Sequence, residues 1–339
     1  MKSKALLRAG VVVAAATLLL SGCSGSSDNN SSGESGGNTR AVMYSANNEN
    51  TNTIVIDAAA DLDPSLKVDM VTGGSIPLLE RIKSEERAKS ADVYYSNTPH
   101  GLEGFKDLFA PYDSPEAAAL PKEMIQPDHL WTVTNQHVVA VMVNKDQVGA
   151  AGVPKSWKDL TNPAFKGKIT SPDPTSSTTG YTALYGAYKV LGEEDFKKLA
   201  QNIVVQSSSG NTYPAVAQGE YAVGLGYESN IYPFIAGGQA GVEMFYPADG
   251  TFTVTEATAL IKDSPNPEAG KRLLDLIASK DTQIALLEGS FRRPARTDID
   301  PSQYVKFLPL DQLKIVDTSD GTDHANEEKF LKVWEASKA

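Results

Sequence analysis

Apolar and polar positions alternate along this chain in two periods, one of two residues and one of three to four. Residues 40–45 (RAVMYS) read as a strand that opens into the polar turn AlaAsnAsnGluAsn at 46–50. Residues 51–61 carry a helical spacing, 67–71 (KVDMV) alternate as a short strand, and 72–75 (TGGS) form a turn. Residues 76–90 place Ile76, Leu79 and Ile82 on one helical face, and 91–95 (ADVYY) is again a strand, ending at Ser96 and Asn97. Such regular β/α alternation predicts an open α/β sheet, in which ligands sit beyond the carboxyl ends of the strands. The polar turns at Ser45, at Gly74 and Ser75, and at Ser96 and Asn97 all fall at such ends.

The pattern then repeats with its own elements. Two short strands are expected at 131–134 and 138–143, with a first crossing between lobes near Ala140. A loop at 171–180 rich in serine and threonine leads into a helix at 181–190. A strand at 203–206 precedes the turn SerSerSerGly at 207–210 and a helix containing Tyr213. A strand at 221–226 ends at Tyr227 and Glu228, and residues 243–247 cross back. Helices are expected at 267–280, 281–288 and 326–338, and no internal repeat is present. The expected organisation is one lobe from 40–140 plus 247–339 and a second from 141–246. A chain of this length has enough core for two lobes.

The N-terminus adds an address. Lys2, Lys4 and Arg8 precede an apolar run at 9–20, which is short of the roughly 20 residues a membrane-spanning helix needs and suits a signal peptide. The run closes on LeuSerGlyCys at 20–23, which resembles a bacterial lipobox. It implies a signal peptide over 1–22, a lipidated Cys23, and a polar tether through residue 39. The protein is therefore expected outside the cell membrane and anchored to it, on its extracellular or periplasmic face. Cys23 is the only cysteine, so the folded body has no disulfide, no cysteine metal ligand and no catalytic thiol. The formal net charge is −11, and it becomes three units more negative once Lys2, Lys4 and Arg8 leave with the leader. That balance argues against nucleic-acid binding, although local donors inside a cleft can still hold an anion.

Hydroxyl-rich turns carry the candidate chemistry. Ser176, Ser177, Thr178 and Thr179 crowd a helix start, where free N–H groups and the helix dipole favour anions. One of them is accounted for as the N-cap. Ser207 and Ser209 form a second such turn, with Tyr213 in the helix that follows, while Ser45 and Ser75 are their counterparts in the other lobe. Glu228 ends a strand and is open to two readings, a ligand contact or a surface carboxylate. Among Arg292, Arg293 and Arg296, Arg293 is the candidate for an anion, with structural pairing as the competing reading. His100, His129, His137 and His324 show no metal-ligand spacing. No nucleophile elbow, phosphate loop or dinucleotide fingerprint is present. Neither an enzyme nor a metal or cofactor is expected.

At these residues the chain resembles the extracellular solute-binding proteins of ABC importers, in the group of ferric-iron, 2-aminoethylphosphonate and hexose-phosphate binders. The resemblance spans about 40–309. It is carried by TGGSI at 72–76 with GluArgIle at 80–82, AlaAspVal at 91–93, SWKDL at 156–160, PAFKGKI at 163–169, QGEYAVG at 218–224 and ArgProAlaArg at 293–296. It implies a two-lobed type II periplasmic-binding-protein (Venus flytrap) fold with mixed sheets and a two-strand hinge. It also implies a monomeric receptor that closes on a small anionic ligand and docks on a permease with its ATPase. Ferric binders of this group usually carry a Tyr-Tyr pair where this chain has Tyr227 and Glu228, and Tyr94 and Tyr95 lie in the other lobe. The resemblance therefore points to a phosphonate or sugar phosphate, with Ser45, Ser75, Ser176, Thr178, Ser207, Ser209, Tyr213 and Glu228 as contacts. A ferric-iron receptor, and a surface lipoprotein acting as sensor or adhesin, are the alternatives.

Overall fold

The structure, a computed structural model, describes residues 39–85, 89–207 and 209–338. The expected signal peptide, Cys23 and all but the last residue of the tether lie outside the described residues. Among those described, no helix is long and apolar enough to cross a membrane.

The chain order is β1 (Thr39–Ser45), α1 (Glu49–Leu62), β2 (Leu66–Thr72), α2 (Ser75–Ser84), β3 (Val93–Asn97), α3 (Pro99–Glu103) and β4 (Thr132–Asn144). It continues through β5 (Ile169–Pro172), α4 (Thr178–Asn202), β6 (Ile203–Gln206), α5 (Ser209–Ala217), β7 (Val223–Tyr227), α6 (Glu228–Ala236) and β8 (Val242–Phe245). It closes with β9 (Thr253–Leu260), α7 (Pro267–Ala278), α8 (Lys280–Ser290), β10 (Arg293–Pro294) and α9 (His324–Lys338). The helix expected over 76–90 ends at Ser84, and α4 runs well past the expected 190, with a break at Gly192, whose φ of 73° only glycine adopts without strain.

The strands follow one path, β2-β1-β3-β9-β4-β7-β5-β6, with β8 and β10 also on β4. β1, β2 and β3 are parallel, as are β5, β6 and β7, while β9 and β4 run antiparallel to their neighbours. The two short strands expected around 131–143 are a single strand, because no residue between them interrupts the ladder. β4 pairs with β9 up to Val138 and with β7 from Val139 onward. It joins two sheet halves, and the chain returns beside it through β8 and β9.

Period-two alternation decides which side chains meet. Along β4, Val139, Val141 and Val143 pack under α4, whereas Ala140 and Met142 pack under α5 and α6. In the other half, Met43, Val93 and Tyr95 join the core of α1, α7 and α8, whereas Tyr44 and Tyr94 join that of α2 and α3. Tyr94 and Tyr95 therefore face opposite sides of the sheet.

Candidate functional site: a cleft at the strand ends

Each of the six parallel strands delivers residues from its carboxyl end, or from the turn or helix just beyond, to one cleft of about 600 Å³. Asn47 follows β1, Ser75 follows β2, and Ser96 and Asn97 end β3. Thr178 and Thr179 follow β5, Ser209 follows β6, and Tyr227 with Ser229 ends β7. A helix starts beyond each strand, so backbone N–H groups converge on the cleft. Side-chain caps take some of these donors: Asn48 accepts from Thr51 N (2.9 Å) and Ser177 from Gly180 N (3.3 Å). α2 and α6 start on Gly74 and Tyr227 with no side-chain cap.

Two glycines make these approaches possible. A Cβ on Gly180 would lie 2.5 Å from the Pro172 carbonyl oxygen, and one on Gly226 would lie 1.9 Å from the Tyr213 hydroxyl. Gly226→Ala should therefore push Tyr213 out of the cleft wall, at a cost of about 1–3 kcal/mol in urea unfolding. A variant as stable as the parent would remove this account of Gly226.

The charges in the cleft form one chain. Arg292 Nη1 donates to both oxygens of Glu256 (2.7 and 2.5 Å), and Arg292 Nη2 donates to Asn47 Oδ1 (2.6 Å). His137 Nε2 lies 2.6 Å from Glu256 Oε2, and its ring stacks on Tyr227 with centroids 4.6 Å apart. Burial alone would raise the Glu256 carboxyl, but Arg292 and His137 reverse this and hold it well below the usual carboxylate range. With Glu256 ionised, Nε2 carries the proton and Nδ1 faces Ser229 Oγ at 3.4 Å. Ser96 (φ 84°) and Phe291 (φ 56°) line the cleft with left-handed backbones, a strained conformation for residues other than glycine.

Three polar groups of the described wall, on Asn47, Thr51 and Asn97, are buried without a partner. Asn47 Oδ1 is taken by Arg292, which fixes the orientation of the amide, and Asn47 Nδ2 is buried without a partner. The Thr51 hydroxyl, in the same wall, is also buried and unpartnered. A family described as bacterial extracellular solute-binding protein matches residues 89–319, and the fold, with its cleft between two sheet halves, agrees with it. The chain belongs to this family.

The solute-binding protein is 25% identical over 250 residues, 70% of this chain and 72% of the other, to a provisionally named 2-aminoethylphosphonate-binding periplasmic protein of Salmonella typhimurium. It is 24% identical over 282 residues, 76% and 79% of the two chains, to iron uptake protein A2 of Synechocystis. Its fold matches the periplasmic binding protein AfuA of Actinobacillus pleuropneumoniae, solved with fructose-6-phosphate, at a TM-score of 0.77 and 23% identity, covering 88% of this chain and 98% of that one. The family and these relatives are binding proteins, and the two-lobed, mixed α/β architecture is theirs.

Four of the nine expected contacts line the cleft: Ser75, Thr178, Ser209 and Tyr213. Ser45 lies beneath it, fully buried, donating to Asn52 Oδ1 (2.6 Å) and accepting from Asn47 N (3.2 Å), and so shapes the turn that carries Asn47. Ser176 and Ser207 are exposed outside the lining. Glu228 and Arg293 are outside it too and bind each other: Nε to Oε1 at 2.6 Å and Nη2 to Oε2 at 2.8 Å. Arg292, Glu256, His137 and Asn47 were not among the expected contacts. Glu256 had a signal, as the lone carboxylate in the otherwise uncharged strand TVTEATAL at 253–260. His137 had a weaker one, inside a strand that is otherwise mostly apolar.

A second hollow of about 630 Å³ runs along β8 and residues 306–314. It receives none of the parallel strand ends.

Proposed function

We propose that this protein is the substrate-binding lipoprotein of an ABC importer. Cys23 anchors it to the outer face of the cell membrane. It captures a small anionic solute between a lobe of 40–140 plus 247–339 and a lobe of 141–246, and delivers it to a permease and its ATPase. The solute class is a phosphonate or a phosphate ester.

The observation that carries this reading is the Asn47 amide. Its unpartnered end is a donor, oriented by Arg292, in a cleft rimmed by helix starts. A buried donor without a protein partner is costly, and an oxygen-rich ligand satisfies it. The relative named for 2-aminoethylphosphonate and the fold shared with a fructose-6-phosphate complex support the same class.

Ferric iron is less well served. It would need phenolates, and of the two lining phenols burial raises the hydroxyl pKa of Tyr227 and pushes that of Tyr213 up to about 12. Amide and guanidinium donors also repel a cation. Calorimetry with hexose phosphates, alkylphosphonates and inorganic phosphate tests the proposal, and heat from none of them would defeat it. A tyrosinate-to-iron absorption band on adding ferric citrate would favour the iron reading.

Thr51→Val offers a sharper check. Because the hydroxyl has no partner within the protein, its loss should leave unfolding stability unchanged or slightly higher. Affinity for the anion should fall by about 1–3 kcal/mol in the same titration. Unaltered affinity would take Thr51 out of the binding wall.

A further inference from the structure

We propose that the body of the bound anion is uncharged and hydroxyl-bearing, as in a phosphorylated polyol or sugar, and that the site discriminates against zwitterions with an ammonium group. This rests on the reading that the cleft takes an anion, and it narrows the class.

The argument is an inventory of carboxylates. Among the described residues that line the cleft, Glu256 is the only one. Both of its oxygens accept from Arg292, and Oε2 also lies against His137. Glu228, next along the chain from Tyr227, turns out of the cleft and is held by Arg293. An ammonium group entering the cleft would lose its water shell, meet no free carboxylate, and share the space with the Arg292 guanidinium. An aromatic cage is a poor substitute: of the four lining rings besides His137, Tyr227 has one face covered by His137, Phe291 is packed against Tyr232, and Tyr213 and Phe234 are packed into the core under α5 and α6.

The wall instead offers neutral groups that both donate and accept. Asn48, Asn50, Ser209, Ser229, Asn230 and Ser290 all line it. Asn48 Oδ1 accepts from Thr51 N, Asn50 Nδ2 donates to Gly289, Asn230 Nδ2 to Tyr213 and the Ser290 hydroxyl to Leu286, which leaves the other end of each amide and the Ser290 oxygen for a ligand. Hydroxyls of a sugar can use both functions, and a site built to bond hydroxyls rejects analogues that lack them. At about 600 Å³ the cleft also has room for far more than a bare oxyanion.

A matched series of ligands tests this by calorimetry on the intact protein near neutral pH: ethylphosphonate, 2-hydroxyethylphosphonate, 2-aminoethylphosphonate and a hexose 6-phosphate. The hexose phosphate should bind tightest. The hydroxyl analogue should bind tighter than ethylphosphonate, and the amino analogue at least about tenfold more weakly than the hydroxyl analogue, given that an unpaired buried charge is penalised more than an unmade neutral hydrogen bond. Equal or tighter binding of 2-aminoethylphosphonate than of its hydroxyl analogue would overturn the inference and leave the anion reading standing. Binding of none of the four would overturn both.

Discussion

Glu228→Gln should destabilise the protein by about 3–5 kcal/mol, the usual cost of removing one partner from a buried ion pair. The Glu228 and Arg293 side chains are 2% and 3% exposed. Arg293 also donates to the Leu308 carbonyl (2.7 Å) and lies over the Phe307 ring at 4.7 Å, while the Tyr246 hydroxyl donates to Glu228. Glutamine keeps the shape but leaves a guanidinium buried without its counter-charge. Urea unfolding measures the loss. The double variant Glu228→Gln with Arg293→Met removes both charges and should recover most of it, since replacing a buried pair by uncharged groups is often close to neutral. A loss under about 1 kcal/mol for the single change would mean that water reaches the pair. Tyr227 precedes Glu228 and Arg292 precedes Arg293, so the single variant should also bind its anion more weakly.

Arg292→Met should weaken anion binding at least about 100-fold, or roughly 3 kcal/mol. Two effects combine. The cleft loses its cation, and Glu256, 5% exposed, is left with its negative charge in the cleft and His137 Nε2 as a remaining contact there. Calorimetry with a hexose phosphate reads the sum. Adding Glu256→Gln separates the two: it should restore stability while affinity stays at least about tenfold below that of the parent. Wild-type affinity in the double variant would mean that Arg292 only neutralises Glu256. The pair also sets a pH dependence. Glu256 has a folded pKa below its unfolded value, so its stabilising contribution is complete above the ordinary glutamate range and is lost as pH falls through the folded value. Acid unfolding of Glu256→Gln should lack that component.

Local pattern carried most of the elements. Strands β1, β2, β3, β6 and β7 and helices α1, α5, α7, α8 and α9 lie close to where periodicity puts them, because each buries one face and alternation or helical spacing follows directly. The polar turns after β1, β2, β5 and β6 are also visible as composition, and the cleft lies beside them. Three of the nine expected contacts, Ser75, Thr178 and Ser209, line the cleft from those turns or the helix starts beside them.

The charged members of the cleft were settled by packing. Arg292 and Arg293 are neighbours of the same type, as Tyr227 and Glu228 are neighbours at one strand end, and nothing local says which of each pair turns inward. Backbone direction at β10 and at the start of α6 decides it: Arg292 meets Glu256 across 36 positions of chain, and Arg293 meets Glu228 across 65. Such pairings join segments that become neighbours only when β4 carries both sheet halves. Composition and periodicity thus specify an α/β body with polar turns at its strand ends. Which charges line the cleft there depends on long-range contacts that no local pattern encodes.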